Sequence, residues 1–215
     1  YQSLYKNKFE DSPAKRKEKS KSSQLYVPRF DDEQNSSFVV DSWYKKSFWL
    51  YLLYPFSLIV SYITARRRRM YLKGASETHK SEVPVIVVGN LTIGGTGKTP
   101  LVKYIASELL SLGYKPGLVS RGYGGKFKET LLVSDQTPVK QTGDEAQILA
   151  TLNLPFYIDK SRVRAVKAIT DNHDCDIIIS DDGLQHYKMN RDIEIVVIDG
   201  KRRFGNNLTF PAGPL

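Results

Sequence analysis

Pro84-Val85-Ile86-Val87-Val88-Gly89-Asn90-Leu91-Thr92-Ile93-Gly94-Gly95-Thr96-Gly97-Lys98-Thr99-Pro100 is the stretch that decides the fold. Its opening is apolar and β-branched, which reads as a buried strand. After the glycines, Leu101, Ile105 and Leu109 recur every four residues, a helical pattern that Gly113 is placed to end. Strand, Gly-rich turn and helix in that order form the context a phosphate-binding loop requires. Within Thr92, Ile93, Gly94, Gly95, Thr96, Gly97, Lys98 and Thr99, the glycines let backbone N–H groups turn towards phosphate oxygens. The helix N-terminus adds a favourable field for the anion. Lys98 can reach the β- and γ-phosphates of a nucleotide such as ATP, and the Thr99 hydroxyl can bind Mg²⁺. Pro100 is tolerated because a first-turn N–H has no partner inside the helix. Thr92 stands where the GxxxxGK[ST] pattern has its first glycine. The plainer alternative is a Gly-rich turn with a solvated lysine; the strand and helix on either side favour the nucleotide.

Working outward, further apolar runs alternate with helical patterns. Residues 117–120, 176–180 and 193–198 read as strands, and 144–152 and 161–169 as helices. Apolar strands alternating with helices imply an α/β domain with a mostly parallel sheet covered by helices on both faces. That core occupies residues 83–215.

Three more clusters carry candidate chemistry. Asp181-Asp182 leaves the Ile177-Ile178-Ile179 run, and an acidic residue leaving a buried strand beside a phosphate loop is placed to hold Mg²⁺. Alone, Asp-Asp-Gly would be only a turn. Gly143-Asp144-Glu145 has two readings. Asp144 can cap a helix with Gln147 as its capping-box partner, or it can orient an acceptor hydroxyl and take its proton. Ser120-Arg121-Gly122-Tyr123-Gly124-Gly125 follows a strand at the carboxyl edge of the sheet, where α/β sites are built. Arg121 there either holds phosphate charge or is solvated. On chemistry alone, His186 has no assigned role.

The N-terminal third is different in kind. Residues 1–36 mix Lys15-Arg16-Lys17-Glu18-Lys19 with Asp31-Asp32-Glu33 and show no apolar period, so they read as a disordered or foreign tail. Residues 37–82 contain an aromatic, apolar run over 48–63, interrupted by Pro55 and followed by Arg66-Arg67-Arg68-Arg69. Between Asp41 and Glu77 there is no acidic residue. Aromatics beside a basic cluster fit an interfacial membrane helix on an anionic leaflet. A core helix and a short transmembrane span are the alternatives. The net charge of +9 suits anionic partners, but the basic residues form no nucleic-acid reading element. A single cysteine, Cys175, excludes an internal disulfide and a multi-cysteine zinc site, and it reads as a buried, inert thiol.

The run from Val88 to Pro100, Ser120-Arg121-Gly122-Tyr123-Gly124, Gly143-Asp144-Glu145, Asp181-Asp182-Gly183-Leu184-Gln185-His186 and Phe210-Pro211-Ala212-Gly213-Pro214-Leu215 follow one another in an order that resembles the tetraacyldisaccharide 4'-kinase (LpxK) family. The resemblance spans about residues 43–215. It implies transfer of the γ-phosphoryl group of ATP, with Mg²⁺, to the 4'-hydroxyl of tetraacyldisaccharide 1-phosphate, giving lipid IV-A. It also implies an N-terminal helix bound to the cytoplasmic face of the bacterial inner membrane, with no obligate protein partner and no nucleic acid. By motif position, Asp144 matches the family's catalytic carboxylate. Lys98, Arg121 and His186 join it as catalytic candidates, and Thr99, Asp181 and Asp182 as metal candidates. Asn90, Glu145, Arg162 and Gln185 are substrate candidates. Ala146 stands where the family usually has proline. The family continues past Leu215 into a smaller C-terminal domain carrying a histidine partner for Asp144, so the kinase core is expected to be incomplete at its C-terminus. The competing class is a membrane-associated P-loop switch ATPase. Its loops carry a lysine just before the paired glycines, where this chain has Ile93.

Overall fold

A computed structural model describes residues 38–45 and 47–215; the expected tail over 1–36 lies outside the described residues. In chain order the elements are α1 (Phe38–Tyr44), a 3-10 helix (Phe48–Leu53), α2 (Tyr54–Leu72), β1 (Val85–Asn90), α3 (Lys98–Ser111), β2 (Pro116–Ser120), β3 (Leu131–Leu132), α4 (Val139–Thr142), α5 (Asp144–Ala150), β4 (Phe156–Ile158), α6 (Arg162–Asn172), β5 (Ile177–Asp181) and β6 (Ile193–Val197).

Six strands form one sheet in the order β3-β4-β2-β5-β1-β6. Every pairing is parallel except β3 with β4. The period-2 alternation of strand side chains divides the core in two. On one face Ile86, Val88, Leu118 and Ile179 pack with Val102 and Ala106 of α3 and Leu149 of α5. On the other, Val85, Val87, Val119 and Ile178 pack with Ala165, Val166 and Ile169 of α6. Cys175 is buried in this second layer, as expected. The expected helix-covered parallel sheet therefore holds for the inner strands. At the edge, β6 leaves Ile193 51% exposed.

β1 lies between β5 and β6, with Val88 opposite Asp181 and Asn90 opposite Val197. The chain leaves β1 through α3 to β2, two places away, and β5 fills the gap. The carboxyl ends of β1 and β5 are thus neighbours, which brings the turn after β1 beside the acidic pair that ends β5.

The region before the sheet inverts the usual helix pattern. A helix on a soluble core buries its apolar face. In α2 the buried residue is Ser57, while Phe56, Leu58, Ile59, Tyr62 and Ile63 are all more than half exposed. The continuous helical run Phe48–Leu72 is long and apolar enough to cross a membrane by length and composition, with mean hydropathy 1.5 and 11% of its apolar window buried. Little of this run packs on the described residues, which is not the burial pattern of a core helix.

Candidate active site

The turn after β1 is built around Asn90. Its Nδ2 donates to the Thr92 carbonyl at 2.5 Å and the Gly94 carbonyl at 3.3 Å, while its Oδ1 accepts from Lys98 Nζ at 2.8 Å. One amide thus braces the loop from within and holds its lysine. Gly94 (φ 120°) and Gly97 (φ 78°) occupy the left-handed region, where a side chain would be strained. Thr92 is absent from the positive-φ residues and is 9% exposed. Its backbone conformation needs no glycine, which explains why the pattern's first glycine can be replaced here. Ile93 N–H donates to the Pro214 carbonyl at 2.8 Å, tying the loop to the chain's last residues. Thr99 is buried in the first turn of α3.

Across from this loop, Lys98 Nζ lies 3.6 Å from Asp182 Oδ1. Asp181 is 2% exposed, and its Oδ1 is buried with no hydrogen-bond partner among the described residues. Burial, with the nearby charges of Glu145 and Asp182, pushes its carboxyl up to about 6, against the pull of Lys98 and Arg162. A buried carboxylate oxygen without a donor is what a hard cation would satisfy. Thr99, Asp181 and Asp182 supply only oxygen donors, and Mg²⁺ characteristically keeps waters and takes one or two carboxylates plus phosphate oxygens. The residues present fit that ion. Asp182 also adopts φ 52°, a left-handed conformation uncommon outside glycine, at the point where the chain leaves β5.

Arg162 is the largest fully buried side chain. Its guanidinium donates to the carbonyls of Asp159 (3.0 Å), Asp181 (2.9 Å) and Asp182 (3.3 Å). Burial lowers it to about 10, which leaves it charged at neutral pH. It therefore braces the backbone of the acidic pair. His186 is held near 4 by burial and by the charges of Arg162 and Arg121, so it is a neutral imidazole at pH 7.

The third wall is made by two loops in contact. A Cβ on Gly143 would lie 2.0 Å from the Tyr123 carbonyl, and one on Gly125 would lie 2.3 Å from the Gln141 carbonyl. These approaches seat the loop after β2, with exposed Arg121, against the start of α5, with exposed Asp144 and Glu145. The capping box, one of the two readings of this segment, does not form. The N-cap is Gly143 with no side-chain cap, and Gln147 instead accepts from Thr142 Oγ1 (3.2 Å) and donates to the Asp135 carbonyl (2.8 Å). Asp144 is one residue too far into the helix to cap it. It has no side-chain hydrogen bond or ion pair among the described residues.

The description "Tetraacyldisaccharide-1-P 4'-kinase" belongs to the family whose profile matches residues 49–215. The chain belongs to the tetraacyldisaccharide-1-P 4'-kinase family. It is 49% identical over 175 residues to the tetraacyldisaccharide 4'-kinase of Psychromonas ingrahamii, covering 80% of this chain and 55% of that protein. It is 50% identical over 165 residues to that of Shewanella loihica, covering 76% and 49%. A crystal structure of LpxK from Aquifex aeolicus, described as an "apo" form in complex with ATP, superposes with a TM-score of 0.69 at 34% identity, over 77% of this chain and 53% of that one. The chain spans about half the length of the curated relatives it matches.

Within this family member, the structure links Asn90, Lys98 and Asp182 by direct contacts and joins Arg162 to the Asp181–Asp182 backbone. Glu145 acts on Asp181 through its charge, and Arg121 likewise acts on the neutral His186. Gln185 is exposed and makes no side-chain hydrogen bond among the described residues. A cleft of about 200 Å³ is lined by Arg67, Lys160, Arg162, His186 and Lys188 among others. Of these, Arg67, Lys160 and Lys188 were not singled out from the sequence as site residues. They come from α2, the turn before α6 and the loop after β5, and no spacing in the sequence relates them.

Proposed function

We propose that residues 83–215 form the nucleotide-binding core of a lipid kinase. It would transfer the γ-phosphoryl group of ATP to the 4'-hydroxyl of tetraacyldisaccharide 1-phosphate, with residues 37–82 as its membrane-binding region. The observation that carries this reading is the braced loop of residues 92–99, set beside an unsatisfied buried carboxylate in a chain of this family. The loop and the N-terminus of α3 would take the phosphates. Lys98, already 3.6 Å from a carboxylate, would exchange that partner for phosphate oxygens. Thr99, Asp181 and Asp182 would hold Mg²⁺, which supplies charge neutralisation on the phosphates. Arg162 keeps the acidic pair in place through its carbonyls, and exposed Arg121 adds positive charge at the same edge.

Asp144, without a partner of its own, is free to accept a hydrogen bond from the acceptor hydroxyl and orient it. Phosphoryl transfer relies mainly on positioning and charge. The basic cleft beside His186 would suit the acidic 1-phosphate of such an acceptor, with Asn90, Glu145 and Gln185 as further candidates for its polar groups.

The membrane reading rests on the inverted face of α2. The exposed apolar residues match a lipid interface, and Arg66-Arg67-Arg68-Arg69 matches the anionic cytoplasmic leaflet of the bacterial inner membrane. Because Ser57 and Ser61 are hydrogen-bonded to residue 209, α2 lies along the domain, which favours an interfacial helix over a free-standing span.

The test is transfer of labelled γ-phosphate from MgATP to tetraacyldisaccharide 1-phosphate in mixed micelles. The sequence is extended to its relatives' length with the C-terminal half of the Psychromonas ingrahamii kinase. Wild type should yield phosphorylated lipid. Lys98→Ala and Asp144→Asn should both lose it, with ATP binding retained in Asp144→Asn. Hydrolysis of ATP without lipid product would overturn the kinase in favour of a switch ATPase.

A further inference from the structure

Ser57 and Ser61 stand one helical turn apart on α2, the separation that puts two side chains on one face. Both face residue 209. Ser57 Oγ donates to the Thr209 carbonyl at 2.7 Å and accepts from the Ala212 N–H at 3.0 Å. Ser61 Oγ and Thr209 Oγ1 share a hydrogen bond of 2.7 Å, and Thr209 Oγ1 lies 3.2 Å from the Ser57 carbonyl. α1 grips the same segment: Trp43 Nε1 donates to the Pro211 carbonyl at 3.1 Å. Two residues beyond Ala212, the Pro214 carbonyl accepts the Ile93 N–H of the phosphate loop. The one residue between them, Gly213, is clamped. A Cβ there would lie 2.2 Å from the Leu208 carbonyl and 2.3 Å from Asn206 Oδ1. Asn206 Nδ2 in turn holds the Ala212 carbonyl at 2.8 Å. A tightly packed strap therefore runs from the buried hydroxyl of α2 to the backbone of the nucleotide loop.

α2 buries little apolar surface on this domain, so polar bonds to the strap are a main hold on its position, and its outer face is left for lipid. Where the helix sits must then be felt by the strap, and where the strap sits by Ile93. We propose that residues 205–215 couple membrane docking of α2 to the phosphate loop, with Ser57 as the positioning residue that makes the connection. This rests on the reading of residues 92–99 as a nucleotide site and of α2 as a membrane helix. By linkage, vesicles that bind α2 alter nucleotide affinity, and nucleotide alters vesicle affinity by the same factor.

The experiment measures the affinity of the 215-residue chain for a fluorescent ATP analogue with Mg²⁺. It is done with and without vesicles of phosphatidylglycerol and phosphatidylcholine in equal parts, with vesicle binding followed separately by flotation. In wild type the vesicles should raise analogue affinity by about fivefold, the lower end of ordinary allosteric coupling. In Ser57→Ala the ratio should fall to about one while flotation is unchanged. Thr209→Val removes the hydroxyl contacts with Ser61 and the Ser57 carbonyl but leaves the Ser57–Ala212 bond, and it should keep the vesicle effect. A vesicle effect that survives Ser57→Ala overturns the inference, as does one lost equally in Thr209→Val, or none in a wild type that binds both. A wild type that fails to bind the analogue or the vesicles defeats the underlying reading instead, and the inference falls with it.

Discussion

At the scale of single residues, the loop depends on Asn90 as much as on its glycines. Asn90→Ala removes the brace to Thr92 and Gly94 and frees Lys98. A net hydrogen bond is worth about 1 kcal/mol, so thermal or urea unfolding should show a loss of roughly 1–2 kcal/mol. Nucleotide affinity should fall as well, because the loop is no longer pre-set. Lys98→Ala separates the two effects. Its side chain lies outside the two core clusters, so stability should stay within about 1 kcal/mol of wild type. Affinity for the ATP analogue should drop by roughly ten- to a hundredfold, the worth of a charge-assisted contact. Equal affinities in wild type and Lys98→Ala would remove the lysine from the site. The lysine, the glycines and the acidic pair were legible because each sits where a strand pattern stops. Asn90's bracing was not, because an asparagine ending a strand carries no sign of which carbonyls it will reach. Arg162 was legible only through resemblance; nothing in a helix-opening arginine announces that it will be buried against carbonyls of residues 181 and 182.

Among the elements, the long apolar strands were readable and the short ones were not. β4 has three residues between Pro155 and Asp159, too few to show a period, and β3 has two. Yet β4 positions much of the site, because Asp159 at its end organises the start of α6. Its carboxylate accepts from Ser161 N–H (2.7 Å), from Arg164 (2.9 and 2.7 Å) and from the Thr130 hydroxyl. Burial alone would push this carboxyl up; the hydrogen bonds from Arg164, Thr130 and Ser161 outweigh it and hold it at about 2. A carboxyl lowered on folding stabilises the fold above its ordinary value of 3.8, and that contribution is lost as pH falls through about 2. Wild-type stability should therefore decline through this acid window. Asp159→Asn should flatten that part of the profile and cost roughly 2 kcal/mol at neutral pH, read from urea midpoints at each pH. Gly143→Ala tests the other wall. With φ at 84° and the Tyr123 carbonyl in the place of the new methyl, it should destabilise by more than about 2 kcal/mol. It should also part Asp144 from the loop carrying Arg121. An unchanged melting temperature would mean that the two loops are not seated as described.

For the whole molecule, the sequence pattern and the structure meet in α2. The aromatic and basic content was readable; the buried serine face was not, since its partner lies 152 residues away. The basic cluster can be tested apart from the apolar face. Arg67 is left intact, because it lies over the Tyr187 ring at 5.9 Å and lines the cleft beside His186. Arg66, Arg68 and Arg69 are exposed, and replacing all three with Gln removes their attraction to an anionic surface. Each basic residue near such a surface is worth about 1 kcal/mol, so affinity for phosphatidylglycerol-containing vesicles should fall by up to about a hundredfold at low ionic strength. The difference should shrink as salt screens the interaction. Binding to purely zwitterionic vesicles should change little, because exposed Phe48, Leu52, Phe56, Ile59 and Ile63 are untouched. Affinity for the ATP analogue without vesicles should also hold, since none of the three lines the nucleotide loop. A transmembrane span would behave otherwise: association with vesicles would resist high salt and would be indifferent to the three substitutions. The salt dependence of flotation therefore separates a helix lying in the interface from one crossing it, and only the first lets α2 remain hydrogen-bonded along the strap that holds the phosphate loop.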